Sequence, residues 1–396
     1  MRKIAFWLSL AFIFAIPCEN VLMFDNGNTI SRLIGLAAAG FWLLTILLTD
    51  RVRVPLPYHL MVFLFILWNA ASIFWSADQN RTFERIQTYS QLAVLVFMLW
   101  DIYHSRPMLQ SAFQAYVLGA YVTASGTLLS YLSASAYYYN RYAASGFNPN
   151  DAGLILALGI PLAWHLATHN GEAKLPTLLK IINFLYLPAA VFAIFLTGSR
   201  GPLAASVVSI LFIISTLGQL RFRYQLLLIT GLGVAVAVLL VVIPQTSFDR
   251  IANKGVALNG REDVWSEAFD LFGEHPILGV GSGSVKKVIE VQQSAHNFAL
   301  GIVTETGLIG LALFCSILLL VVRHAWRQEP RYRYLCLTLF AVWFIGASVH
   351  NWEHRKQTWL FFSLIVISSS VAATSVSATF DHRSFVAARE PEMEVA

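Results

Sequence analysis

Charge is the scarcest commodity in this chain. Asp, Glu, Lys and Arg make up 12% of its 396 residues, against roughly 25% in a soluble domain. Hydrophobic residues reach 57% and mean hydropathy is +0.62, which excludes a soluble globular protein. No basic domain is left over for nucleic acid. Cysteine is nearly absent as well: Cys18, Cys315 and Cys336 all sit in or beside apolar runs, with no C-x-x-C, so neither a disulfide framework nor a thiolate metal site is indicated. No Asp-x-Asp pair and no cluster of Asp, Glu and His offers a seat for Mg²⁺, Mn²⁺ or Zn²⁺, so no metal and no cofactor is expected. A Gly-x-Ser-x-Gly nucleophile elbow is missing too. Alternating polar and apolar strands are absent, which leaves helices as the way to satisfy backbone groups in lipid.

What remains is a succession of apolar runs. A bilayer core needs about 20 apolar residues per helix. Windows of that size fall at roughly 4–23, 30–49, 56–75, 87–103, 110–132, 152–168, 177–197, 202–218, 225–243, 297–322, 333–349 and 357–376. The expected architecture is therefore an all-α polytopic membrane protein of about twelve transmembrane helices. Helices 1–9 with short loops fill 1–243, one large loop fills 244–296, helices 10–12 fill 297–376, and a tail fills 377–396. The first window follows Met1-Arg2-Lys3 but lacks a small-x-small cleavage site, so it reads as a retained helix. With both termini cytoplasmic, the inside segments carry fifteen Lys and Arg and the short outside segments seven. The positive-inside rule then puts the 244–296 loop on the far side of the membrane, where no ATP or nucleotide sugar is available.

That loop carries the most chemistry. From Arg261 to Phe272, apolar Val264, Ala268 and Phe272 recur at i, i+4, i+8 beside Trp265 and Phe269, with Glu262, Asp263, Ser266, Glu267 and Asp270 on the other side. This is an amphipathic helix, with Asn259 as its cap and Gly273 as its stop. Its apolar face is expected to lie on the membrane surface or on the bundle. The following run, His275-Pro276-Ile277-Leu278-Gly279-Val280-Gly281-Ser282-Gly283, is neither a P-loop nor a dinucleotide fingerprint. It reads as a tight turn for close backbone packing, with a phosphate nest as the alternative. Two further outside connections stand out: the aromatic stretch Tyr137–Asn150 around Arg141, and the short Thr197-Gly198-Ser199-Arg200-Gly201-Pro202 turn.

Three arginines, Arg141, Arg200 and Arg261, thus come from three exposed connections. Singly each fits an interfacial anchor or a lipid head-group contact. Together they suggest an anion site, because the guanidinium fork matches phosphate oxygens bidentately and keeps its charge. His296 has the side chain for general-base work, and equally the place of a helix-start histidine followed by the cap Asn297. Glu305, nine residues on, is expected on the opposite helix face and about 13 Å deeper, in a structural hydrogen bond.

His296-Asn297-x-x-Leu300 followed by Glu305-x-Gly307-x-x-Gly310 resembles the hallmark of the O-antigen ligase/polymerase superfamily. Arg141 with Gly146-Phe147-Asn148-Pro149-Asn150, the Ser199-Arg200-Gly201 turn and His275-Pro276-x-x-Gly279-x-Gly281 fit the same family. The resemblance implies a metal-independent, inverting glycan transfer in the inner membrane of a Gram-negative bacterium, on its periplasmic face. The donor would be an undecaprenyl diphosphate-linked glycan and the acceptor a hydroxyl of lipid A–core oligosaccharide. By motif, His296 would deprotonate the acceptor, Arg200 and Arg261 would hold the diphosphate, and Arg141 would be a third phosphate contact. Asn297 and Glu305 would be supporting residues. A polymerase with the same donor chemistry is the alternative. A lipid-linked glycan flippase is the third reading, disfavoured because the membrane interior is nearly free of charge.

Overall fold

The computed structural model describes residues 1–21, 29–137, 141–168, 175–218, 261–289 and 295–387, with Met23 and scattered positions between 222 and 241. Side chains beyond 372, and that of Arg261, lie outside the description. The elements are helices: α1 (Arg2–Ala15), α2 (Ile30–Thr49), α3 (Pro57–Ala71), α4 (Gln79–Ile102), α5 (Arg106–Leu132), α6 (Pro149–Thr168), α7 (Thr177–Leu196) and α8 (Arg200–Leu217), then α9 (Arg261–Glu274), α10 (Val285–Val288), α11 (Phe298–Trp326), α12 (Pro330–Ala347) and α13 (Lys356–Ala387). Among the described residues the only bridge between extended segments joins Met23 and Thr29.

Six of these helices are long and apolar enough to cross a membrane: α2, α3 with its 3₁₀ extension to Phe74, α6, α7, α8 and α11. The 225–243 window falls largely outside the described residues, as do 244–260 and the expected cap Asn259. α1 ends at Ala15, well short of its 4–23 window. Pro17 explains the stop, since a proline disfavours helical backbone just before it and supplies no N–H to continue the ladder.

α6 is the centre of the bundle. It is buried along nearly its whole length and packs against α5, α7, α8 and α12. Small residues bring its neighbours close: a Cβ at Gly159 would lie 2.2 Å from the Tyr186 hydroxyl, which donates to the Leu156 carbonyl at 3.0 Å. Close approach of this kind is how helices associate where no hydrophobic drive separates them from lipid.

α9 forms where the sequence periodicity places it, but runs through Gly273 to Glu274. Its buried stripe is Val264, Ala268 and Leu271, at i, i+4, i+7, and it docks on α11. The Trp265 indole N–H donates to the Ala295 carbonyl at 2.7 Å. The apolar face therefore meets the bundle, while Phe269 remains 60% exposed.

The largest departure from a uniform helix is in α11, which breaks at Gly307 (φ 67°, ψ −169°). The loop after α9 completes the broken ladder. Val280 N–H donates to the Thr304 carbonyl (3.0 Å), Gly281 N–H to the Glu305 carbonyl (2.9 Å), and Leu308 N–H to the Pro276 carbonyl (2.9 Å). Only glycine permits this approach: a Cβ on Gly307 would stand 2.0 Å from the Ile277 carbonyl oxygen, and one on Gly279 2.5 Å from that of Glu305. The glycine run is thus a packing device. It is also stitched to the first half of the chain, with Ser282 Oγ donating to Asn69 Oδ1 (2.7 Å) and Thr82 Oγ1 to the Ser282 carbonyl (2.7 Å).

Candidate functional site

Between the starts of α4, α6 and α11, the loop at α10 and the segment before α13 lies a cavity of about 370 Å³. Its wall includes Arg81, Glu84 and Arg85 from α4, Asn148 and Asp151 at the start of α6, and Lys286 of α10. His296, Glu305 and His350 to Arg355, without Glu353, complete it. Helix N-termini present unsatisfied N–H groups and a positive dipole end. Four cationic side chains in the same wall face three carboxylates, Glu84, Asp151 and Glu305, so the lining is mixed with one cation in excess, and the helix N-termini add to its attraction for an anion.

His296 is placed there by an unusual backbone. Its φ is +48°, a region costly for a non-glycine residue, and the next residue, Asn297, is extended and caps α11. Asn297 Oδ1 accepts from Ala299 N–H (2.9 Å) and Leu300 N–H (3.1 Å). The imidazole lies half-buried, edge-to-face with His350 at a centroid distance of 6.2 Å.

Glu305 lines the same cavity as His296, which corrects the expectation of opposite faces. That expectation counted helical phase from His296, but the helix starts only at Phe298 and His296 is left-handed, so the 100° per residue rule does not span the pair. Glu305 Oε1 faces Arg85 Nη2 at 3.9 Å. The expected structural partner is therefore an arginine from α4.

The three sequence-indicated arginines have different fates. Arg141 clamps the turn before α8: its Nε donates to the Thr197 carbonyl (2.9 Å) and its Nη2 to Ser199 Oγ (2.7 Å) and Asn150 Oδ1 (2.7 Å). It thereby fixes the turn before Arg200, the exposed first residue of α8, which is not among the residues lining the cavity. Gly201 beside it packs on Val349, where a Cβ would be 2.6 Å from Cγ2, and Val349 adjoins cavity-lining His350. Arg261 opens α9, and its side chain lies outside the described residues.

Sequence reasoning missed a second set of polar groups. Asp151 accepts from the Trp352 indole (2.8 Å) and pairs with Arg355 (3.2 Å). Glu353, 3% exposed, holds His354 Nδ1 at 2.9 Å. Burial alone would favour the neutral carboxyl, but His354 and Arg85 outweigh it and hold Glu353 below the usual carboxylate range. Burial and the Arg85 guanidinium push His354 down to about 4. The signal was present as the polar run His350-Asn351-Trp352-Glu353-His354-Arg355-Lys356 between two apolar windows, five of whose residues line the cavity. Among the described residues no group of three or more His, Cys, Asp or Glu is placed to hold a metal ion.

Comparison with known proteins agrees with the motifs. A family model described as O-antigen ligase matches residues 185–315, the stretch that holds Arg200, α9, His296 and the kink of α11. The chain is also 26% identical over 332 residues to the O-antigen ligase of Pseudomonas aeruginosa, covering 80% of this chain and 78% of that protein.

Proposed function

Proceeding from this similarity to the O-antigen ligases, we propose that the chain transfers a glycan from undecaprenyl diphosphate to a sugar hydroxyl of lipid A–core at the periplasmic face of the inner membrane. The observation that supports the reading is one cavity that combines His296 with Arg81, Arg85, Lys286 and Arg355 in a wall of mixed charge. The cations and helix N-termini suit a diphosphate, and the imidazole suits an acceptor hydroxyl. No strong acid is required, because a charge-neutralised diphosphate is a good leaving group.

In this mechanism Arg200 and Arg261 grip the diphosphate and stabilise the charge that grows on it as the glycosidic bond breaks. Arg141 positions Arg200 by fixing the 197–199 turn, a role behind the site rather than a phosphate contact. His296 removes the acceptor proton as the hydroxyl oxygen attacks the anomeric carbon from the face opposite the diphosphate, inverting its configuration. Neither step draws on a metal or nucleotide.

Cells carrying His296→Ala, Arg200→Ala or Arg261→Ala as the sole copy should keep the protein in the membrane yet attach no glycan to lipid A–core, as read on a gel of extracted lipopolysaccharide. Normal glycan attachment by His296→Ala would remove it as the base.

A further inference from the structure

Helix α9 does more than cover the bundle, because one of its side chains reaches the backbone that carries the base. We infer that Trp265 is a positioning residue for His296, holding the Ala295–His296 peptide through its indole N–H so that the imidazole is set before the substrates arrive; this rests on the glycan-transfer reading.

A left-handed backbone such as that of His296, φ +48°, is disfavoured for a residue with a Cβ and persists only where its surroundings fix it. On the downstream side Asn297 is held twice. Its Oδ1 caps α11, and its carbonyl accepts from Gly301 N–H at 2.9 Å. On the upstream side the Ala295–His296 peptide is a rigid plane, so a group that holds the Ala295 carbonyl also holds the His296 nitrogen. The φ of His296 is then rotation away from a fixed plane. The Trp265 indole N–H donates to that carbonyl at 2.7 Å. His296 is thus suspended between two anchored neighbours, with its ring edge-to-face on His350.

The anchor is itself fixed. Val264 and Ala268, on either side of Trp265 in the sequence, are buried in one core with Ala295, Leu300 and Val303, and the half-buried indole packs against the same core. An indole has a single polar atom, a donor at the ring edge, so packing that grips the ring also aims the N–H. A buried tryptophan N–H ordinarily finds some partner. Here the partner is the peptide that leads into a left-handed histidine. Because α9 begins at Arg261, one turn before Trp265, the helix that carries a diphosphate-gripping arginine in the proposed mechanism also sets the base. The span between the two is fixed by one rigid element.

Purified full-length protein with undecaprenyl diphosphate-linked glycan and lipid A–core would be compared as wild type, His296→Ala and Trp265→Phe. Phenylalanine keeps an apolar ring and removes the N–H. Misplacing a reacting group by an ångström costs about a hundredfold, so Trp265→Phe should lose about tenfold or more in kcat. Both KM values and the thermal midpoint should stay close to wild type. Hydrogen exchange reads the same contact without turnover: amides 296–299 should exchange faster in Trp265→Phe, while those of α9 stay as protected as in wild type. An analogue at 265 with sulfur in place of the indole N–H keeps the size of the ring, should behave in the same way, and decides the matter if the smaller ring disturbs packing. Wild-type kcat, unchanged exchange at 296–299 or a loss confined to KM overturns the proposal. So does a lowered midpoint with faster exchange throughout α9 in the analogue, which marks a merely structural tryptophan. If His296→Ala is inactive while Trp265→Phe is unimpaired, the transfer reading survives and this one fails. If wild type transfers nothing, both fail.

Discussion

At the scale of single residues, the site is built from pairs more than from individual groups. Arg85 and Glu305 face each other at 3.9 Å with side-chain exposures of 17% and 14%. Removing one partner of such a pair leaves an uncompensated charge, at a cost of about 3 kcal/mol. Arg85→Ala should therefore lower the thermal midpoint in detergent, and the double variant Arg85→Ala/Glu305→Gln should recover most of the loss. An equal or greater loss in the double variant would mean that the pair does not stabilise the fold. Arg200→Lys tests a different property. An ammonium supplies charge without the fork, so transfer should fall about as far as in Arg200→Ala, measured as glycan attached per cell. Near-normal attachment would mean that charge alone suffices. The legibility of these residues was uneven. His296 and Asn297 stood out because one is a titratable side chain at the edge of an apolar run and the other a recognisable cap. Glu353 and His354 did not, because their roles depend on Arg85 more than two hundred and fifty positions away in the chain.

At the scale of elements, the decisive feature is the break in α11 and the loop that fills it. Hydropathy shows one long apolar window at 297–322, since length and apolarity are insensitive to a single residue with positive φ. The glycines around it were legible as a demand for close packing; their partner was not, because it lies thirty residues away across the loop. Gly307→Ala should be severe, combining about 1–3 kcal/mol of backbone strain with a Cβ 2.0 Å from the Ile277 carbonyl. It should open the 276–283 loop to limited proteolysis and abolish transfer. Gly40→Ala is the control, since nothing lies within 4 Å of the added Cβ and a helical alanine is favoured over glycine. Equal protease resistance in the two variants would argue against the loop's dependence on the break. Amphipathic α9 was the easiest element to read, because its periodicity is local. That it docks on α11 rather than on lipid was not, because both surfaces accept the same apolar stripe.

At the scale of the whole molecule, the apolar windows of the sequence anticipate the order of the helices described, and the starts of several of them meet at the site. Residues near the starts of α4, α6 and α11 bring their polar side chains to one cavity. In the proposed orientation the end that holds it faces the periplasm. In a variant lacking the three native cysteines, a cysteine at Phe269, exposed on α9, should react with a membrane-impermeant maleimide added to cells with a permeabilised outer membrane. A cysteine at Trp326, exposed at the far end of α11, should react only after the inner membrane is breached. The reverse pattern would invert the topology and put the cavity in the cytoplasm.

The central claim is the transfer itself. Purified protein in detergent would be mixed with labelled undecaprenyl diphosphate-linked glycan, with and without unlabelled lipid A–core. The account predicts label on lipid A–core, only when that acceptor is present, and none with His296→Ala. A ladder of longer undecaprenyl-linked chains in its absence, or no product at all from active preparations, would contradict it.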